Sequence, residues 1–128
     1  MNANLAFLVI AHGSRRAEAN RELDQVCSQL RERKSIPIVQ PAFLELTGPT
    51  IAEGGQRCVQ QGAKEVLMLP YFLSPGIHVR EDLIDHRDRL SKEFPGVKFY
   101  LTDPLGGHPM LIDILLQRVD ECLKQKQN

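Results

Sequence analysis

The chain has 128 residues, 42% hydrophobic and 25% charged, a composition that fits one soluble domain burying roughly two-thirds of its unfolded surface. Sixteen basic side chains balance sixteen acidic ones, so no global field recruits nucleic acid or an anionic membrane, and any preference for an acidic ligand must be local. No apolar run approaches the ~18 residues of a membrane span and no basic leader precedes the first strand pattern, so a cytoplasmic protein is expected.

Leu5–Ala11 is a continuous apolar run closed by Gly13-Ser14, which predicts a strand buried on both faces. Residues 15–33 carry Leu23, Val26, Cys27 and Leu30 at helical spacing among charged residues, the pattern of a helix covering one sheet face. Residues 36–45 form a second strand, placed at an edge by Pro37 and Pro41, with Glu45 at its carboxyl end. A helix over 50–61 carries Ile51, Cys58 and Val59 on one side, although Gly54 and Gly55 each cost about 1 kcal/mol there relative to alanine. The third strand is 65–69, followed by a helix over 79–94 with Glu81 and Asp82 in its first turn, and a fourth strand over 97–101. The last helix starts near Pro109, with Leu111, Ile112, Leu115, Leu116, Val119 and Leu123 along one face and a frayed tail over 124–128. Cys27, Cys58 and Cys122 are far apart, lack CxxC spacing and fall beside apolar helix residues; they are expected to be reduced core thiols.

Strands separated by single helices imply right-handed crossovers. The expected fold is a single doubly wound α/β domain: a four-stranded parallel sheet of flavodoxin-like order 2-1-3-4 with helices on both faces. In that order strands 1 and 3 are neighbours and the winding reverses between them. Ligands of such sheets bind outside the carboxyl ends of the strands, at the switch point. His12 follows the first strand there and His78 follows the loop after the third, with Glu45 one strand further out.

Two imidazoles without a third strong ligand leave most of a metal's coordination sphere to water or substrate, so such a site can hold a metal and release it. A closed structural zinc site would need a cluster that this chain does not offer. Glu45 suits either a further ligand or a proton acceptor. Gly13-Ser14 permits a tight turn whose amides face an anion, with Arg15 and Arg16 adding charge at the mouth; a solvated first helical turn explains them equally. Tyr71, Phe72 and Leu73 put large apolar side chains beside the site, where a flat ligand could stack or the loop could pack. Gly76 offers the positive-φ freedom that turns the loop back so that His78 reaches the crevice. Asp82, one turn on, either orients the His78 ring or serves the helix N-terminus. His86, among Asp85, Arg87 and Asp88, is expected at the surface, and His108, before Pro109, as a loop or capping group.

Four ordered motifs now carry a resemblance: Ile10-Ala11-His12-Gly13-Ser14; Phe43-Leu44-Glu45 with Pro49; Leu69-Pro70-Tyr71-Phe72-Leu73 with Gly76-Ile77-His78 and Asp82; and Leu105-Gly106-Gly107-His108-Pro109. Together they resemble the small CbiX-type sirohydrochlorin chelatases, over nearly the whole chain. One departure is Asp82-Leu83-Ile84, where relatives often continue Asp-Ile-Pro. The resemblance implies a class II chelatase that inserts a divalent metal into sirohydrochlorin without ATP or an organic cofactor. It implies that His12 and His78 bind the metal and that Glu45 matches the family's acidic residue at the second strand. Gly13, Ser14, Arg15, Tyr71, Phe72, Leu73 and Gly76 are then the expected substrate contacts. The metal is a substrate, with cobalt the leading expectation and iron or nickel also possible. The short form implies a homodimer whose two lobes enclose the tetrapyrrole. A carrier of metal or tetrapyrrole would use the same crevice without turnover. A histidine phosphatase is disfavoured because Ala11 stands where a phosphate-clamping arginine is needed, and a receiver domain because the first strand ends in Ala-His rather than in an acidic cluster.

Overall fold

The structure, a computed structural model, describes residues 4–127. In chain order the elements are β1 (Leu5–Ala11), α1 (Ala17–Lys34), β2 (Ile38–Phe43), α2 (Ile51–Gln60), β3 (Glu65–Pro70), α3 (Ile77–Glu93), β4 (Lys98–Leu101) and α4 (Met110–Gln127). The four strands are parallel in the order β2-β1-β3-β4, as the alternation of strand and helix predicts. β1 is central and paired on both sides, with Leu8 opposite Gln40 of β2 and Met68 of β3. Pro41 lies in β2, an edge strand, where its missing N–H leaves no ladder bond unmade on the open side.

The chain moves one way from β1 to β2 and the other way from β2 through β3 to β4, so right-handed crossovers place α1 on one face and α2 and α3 on the other. The two cores follow from the period of two along β1. Ala6, Leu8 and Ile10 join Cys58 of α2 and Leu83 and Leu90 of α3. Val9, between them, joins Leu23 and Cys27 of α1 with Val39 and Phe43 of β2.

Gly54 and Gly55, costly to a helix by propensity, are explained by packing. A Cβ on Gly54 would stand 2.8 Å from Cδ1 of Leu8 and 3.0 Å from Cβ of Ala42, and one on Gly55 2.7 Å from Cδ2 of Leu90. These glycines let α2 lie close to the sheet and to α3. Thr50 and Glu53 compensate at the helix start with a reciprocal capping box: the Glu53 N–H donates to Thr50 Oγ1 at 3.1 Å, and the Thr50 N–H to Glu53 Oε1 at 2.9 Å.

Several expectations are corrected. α1 begins at Ala17 rather than at 15, because Ser14, Arg15 and Arg16 form a separate turn. β2 ends at Phe43, leaving Glu45 in the following loop. α3 begins at Ile77, so His78 is its second residue and the first turn carries no acid. Gly76 caps that helix with φ −66°, an ordinary extended conformation, and not with the positive φ expected of it. Cys27 and Cys58 are buried, but Cys122 is exposed. α4 continues through Gln127 instead of fraying from 124, and Asn128 lies outside the described residues. Its apolar face does not join the core: among the described side chains of α4, only Leu111 is even half-buried. Among the described residues no helix is long and apolar enough to cross a membrane.

Candidate functional site

At the carboxyl ends of β1 and β2 the two outgoing loops are joined main chain to main chain. The Leu44 N–H donates to the Ala11 carbonyl and the Glu45 N–H to the His12 carbonyl, each at 3.0 Å. Sheet pairing thus continues two residues past β2 and sets Glu45 beside His12. Gly13 makes this possible. Its φ is +97°, and a Cβ there would collide with the Glu45 carbonyl oxygen, so both conformation and close approach require glycine.

His12 is exposed, and its ring meets Phe72 at a centroid distance of 4.7 Å, tilted by 36°. A cavity of about 160 Å³ opens beside it, lined by His12, Leu44, Glu45, Val79, Asp82 and His86. His12 and Glu45 are therefore brought together in one cavity wall. Exposed His78 stands in the first turn of α3, one residue before the wall residue Val79, and is not among the residues that line the cavity, so the structure does not bring it together with His12 as expected. Among the described residues no group of three or more His, Cys, Asp or Glu side chains is arranged to hold a metal ion. An ion here would take most of its ligands from water or from another molecule.

His86, expected at the surface, is half-buried in the cavity wall. Burial, aided by Arg89, pushes its pKa below the usual histidine value against the opposing pull of Asp82 and Asp85, so it is neutral at pH 7. Asp82 acts on this ring, one helical turn ahead, and shares the cavity with it. The i, i+3, i+7 spacing of Val79, Asp82 and His86 was the available signal, hidden by the charged residues around His86.

The other expected contacts divide. The Ser14 amide donates to Asn20 Oδ1 at 3.0 Å while Asn20 Nδ2 returns a bond to the Ser14 carbonyl at 2.8 Å, and Ser14 Oγ accepts from the Arg16 amide. The turn is thus closed on itself and its Ser14 amide is not free for an anion; Arg15 remains exposed. Tyr71 and Phe72 point to opposite faces. Phe72 packs with His12 and the α2–α3 core, whereas Tyr71 joins the α1 core, where burial followed by Glu22 raises its phenol pKa. Tyr71 is therefore not beside His12. Leu73 is 59% exposed, and sequence reasoning missed two comparable neighbours of the site residues, Leu46 at 54% and Ile77 at 76%. Arg80 and Arg87, also missed, line a second cavity of about 210 Å³ at the ends of β3 and β4. His108 caps α4 as expected, its Nδ1 accepting from the Met110 amide at 3.2 Å.

Known proteins share this fold. The family model described as CbiX matches residues 6–122. The chain is 40% identical over 117 residues to the chloroplastic sirohydrochlorin ferrochelatase of Arabidopsis thaliana, covering 91% of this chain and 52% of that one. It superposes with a TM-score of 0.83 at 27% identity on the sirohydrochlorin chelatase SirB of Bacillus subtilis subspecies spizizenii in complex with cobalt, covering 92% of this chain and 50% of that one. A CbiX protein from Marinobacter aquaeolei VT8 matches with a TM-score of 0.81 at 29% identity, over 94% of this chain and 98% of its own. The chain thus spans about half the length or less of the first curated relatives it matches, and nearly all of the Marinobacter protein. With one model running from the first strand through most of the last helix, across every loop that builds the cavity, the chain belongs to the CbiX family.

Proposed function

We propose that this chain inserts a divalent metal ion into sirohydrochlorin, with no ATP and no organic cofactor. The observation that carries the reading is the convergence of His12, Glu45, Asp82 and His86 on one open cavity beyond the carboxyl ends of β1 and β2. The sirohydrochlorin chelatases among its relatives support the same substrate.

The metal arrives as a substrate. His12 and His78 hold it weakly, because two neutral imidazoles leave the remaining positions open to the macrocycle nitrogens. Insertion exchanges two pyrrole N–H protons for one ion, so acceptors close to the metal lower the barrier by taking those protons as the nitrogens bind. Glu45, or one of the two histidines, does this, and neutral His86 is a further acceptor on the same wall. Phe72, with exposed Leu46, Leu73 and Ile77, offers apolar surface to the face of the ring. Arg15, Arg80 and Arg87 provide cations for its peripheral carboxylates. Cobalt is the first candidate, with iron and nickel compatible with the same donors. The working unit is a homodimer, with sirohydrochlorin between two lobes. Three free cysteines favour a reducing compartment, the cytoplasm.

The test is anaerobic mixing of sirohydrochlorin with cobalt, iron or nickel, followed by absorbance. The wild type gives many turnovers per chain with at least one metal. His12→Ala and His78→Ala each lower kcat/KM by roughly 100-fold, the scale of a lost general-base or positioning group, with an unchanged thermal midpoint. Near-normal turnover in both variants rejects the assignment.

A further inference from the structure

Helix α3 has a cavity on each flank. Its buried ridge is Leu83 and Leu90, and on one side of that ridge Val79, Asp82 and His86 line the cavity that holds His12. Arg80, Ile84 and Arg87 fall on the other side, roughly a third of a turn around the helix. They line the second cavity, of about 210 Å³, which opens beyond Pro70 at the end of β3 and Leu101 at the end of β4 and shares no lining residue with the first. Parallel sheets bind their ligands outside these strand ends.

The second cavity holds charge that the fold leaves unpaired. The Arg80 guanidinium makes no hydrogen bond or ion pair among the described residues. Arg87 meets its neighbour Asp88 through Nε and Nη2, each 3.2 Å from Oδ1, and its Nη1 has no partner among the described residues. The two stand two turns apart on α3, about 10.5 Å along its axis, a span that their long side chains can close onto one group. Planar guanidinium donors match a carboxylate in shape as well as in charge.

Two further features narrow the ligand. Asp103 also lines the cavity, so the excess is a single positive charge, which suits a singly charged carboxylate better than a phosphate or sulfate. The remaining wall is largely apolar, with Leu83, Ile84 and Leu101 beside three prolines, and an alkyl stem covers such a wall where a bare inorganic anion leaves it wet. The volume lies below the ~300 Å³ at which cavities for drug-sized ligands begin, so the occupant is small.

We infer that this cavity is a carboxylate site, taking the head of a short carboxyalkyl group between Arg80 and Arg87 and its methylene stem against Leu83, Ile84 and Leu101. Two sources supply that chemistry: a free short-chain carboxylic acid, or one arm of a larger substrate seated at the neighbouring cavity. Only the second rests on the chelatase reading.

The test is a nuclear magnetic resonance titration of the wild type with butyrate, without metal or tetrapyrrole, so its failure and the failure of the chelatase reading are distinguishable. The arginine Nε–H signals are followed, those of Arg80 and Arg87 being identified by their loss in Arg80→Lys and Arg87→Lys. Butyrate is expected to shift both with a dissociation constant of about 1 mM, within reach of six non-hydrogen atoms. The neutral analogue butyramide leaves them in place, and Arg80→Gln with Arg87→Gln raises the constant by about tenfold or more. Insertion kinetics in the presence of butyrate then separate the sources. A KM for sirohydrochlorin that rises with butyrate at constant kcat assigns the site to an arm of the macrocycle, and an unchanged KM assigns it to a free acid; both uphold the carboxylate site. Signals of Arg80 and Arg87 that do not move with butyrate, or that move equally with butyramide or inorganic phosphate, overturn the inference.

Discussion

At the scale of single residues, the site depends on a glycine as much as on its histidines. Gly13 lets the backbone after β1 pass under the Glu45 carbonyl, and the His12 carbonyl then receives the Glu45 amide. Gly13→Ala meets both a positive φ and a collision with main chain, so it is expected to destabilise the protein by about 2 kcal/mol or more and to lower insertion activity beyond that loss. Urea unfolding and a rate measured on the folded fraction check the two effects. His86 gives a separate prediction. Its folded-state pKa lies below its ordinary 6.5, so between the two values the unfolded chain binds the extra proton and stability falls as the pH drops below about 6.5. His86→Gln removes this contribution, and its unfolding free energy depends less steeply on pH between 6.5 and 5 than that of the wild type. His12 was legible because it follows a buried apolar run. His86 was not, since its charged neighbours look like a solvated face and only the turn spacing from Val79 and Asp82 betrays the wall. Tyr71 and Phe72 were read as one apolar patch, although consecutive residues after a strand point to opposite sides.

At the scale of elements, β1, α1 and β3 follow directly from apolar runs and helical spacing, and Pro41 marks β2 as an edge, while Pro37 falls just before the strand, which starts at Ile38 rather than at 36. α2 was harder to anticipate because propensity and packing oppose each other there. Gly54 and Gly55 weaken the helix alone but bring its axis close to Leu8, Ala42 and Leu90. Replacing Gly54 by alanine improves intrinsic propensity by about 1 kcal/mol and is still expected to be destabilising, by about 1 to 3 kcal/mol, because neither the buried Leu8 side chain nor Ala42 can yield easily. A lower thermal midpoint confirms this; a higher one shows that α2 can shift outward at no cost. The start of α3 illustrates a different limit: Gly76 and Pro75 announce a turn but not which residue begins the helix, so His78 emerged in the first turn rather than in the loop before it.

At the scale of the whole molecule, strand order and the switch point were legible from alternation and handedness alone. The placement of α4 was not. Periodicity shows that a helix has an apolar face, but it does not say whether that face turns to its own sheet or to another chain. Only the three-dimensional arrangement shows that this face of α4 is exposed and that an apolar groove lies open beside α1.

The central claim, that residues at the ends of β1 and β2 and the start of α3 pass a metal ion to a tetrapyrrole, is tested most directly by counting turnovers. With sirohydrochlorin and cobalt, iron or nickel in excess over the chain, at least one metal is expected to be inserted repeatedly, and the count is expected to collapse in His12→Ala. Metal uptake that stops at one equivalent per chain, or turnover unaffected by loss of His12, would contradict it.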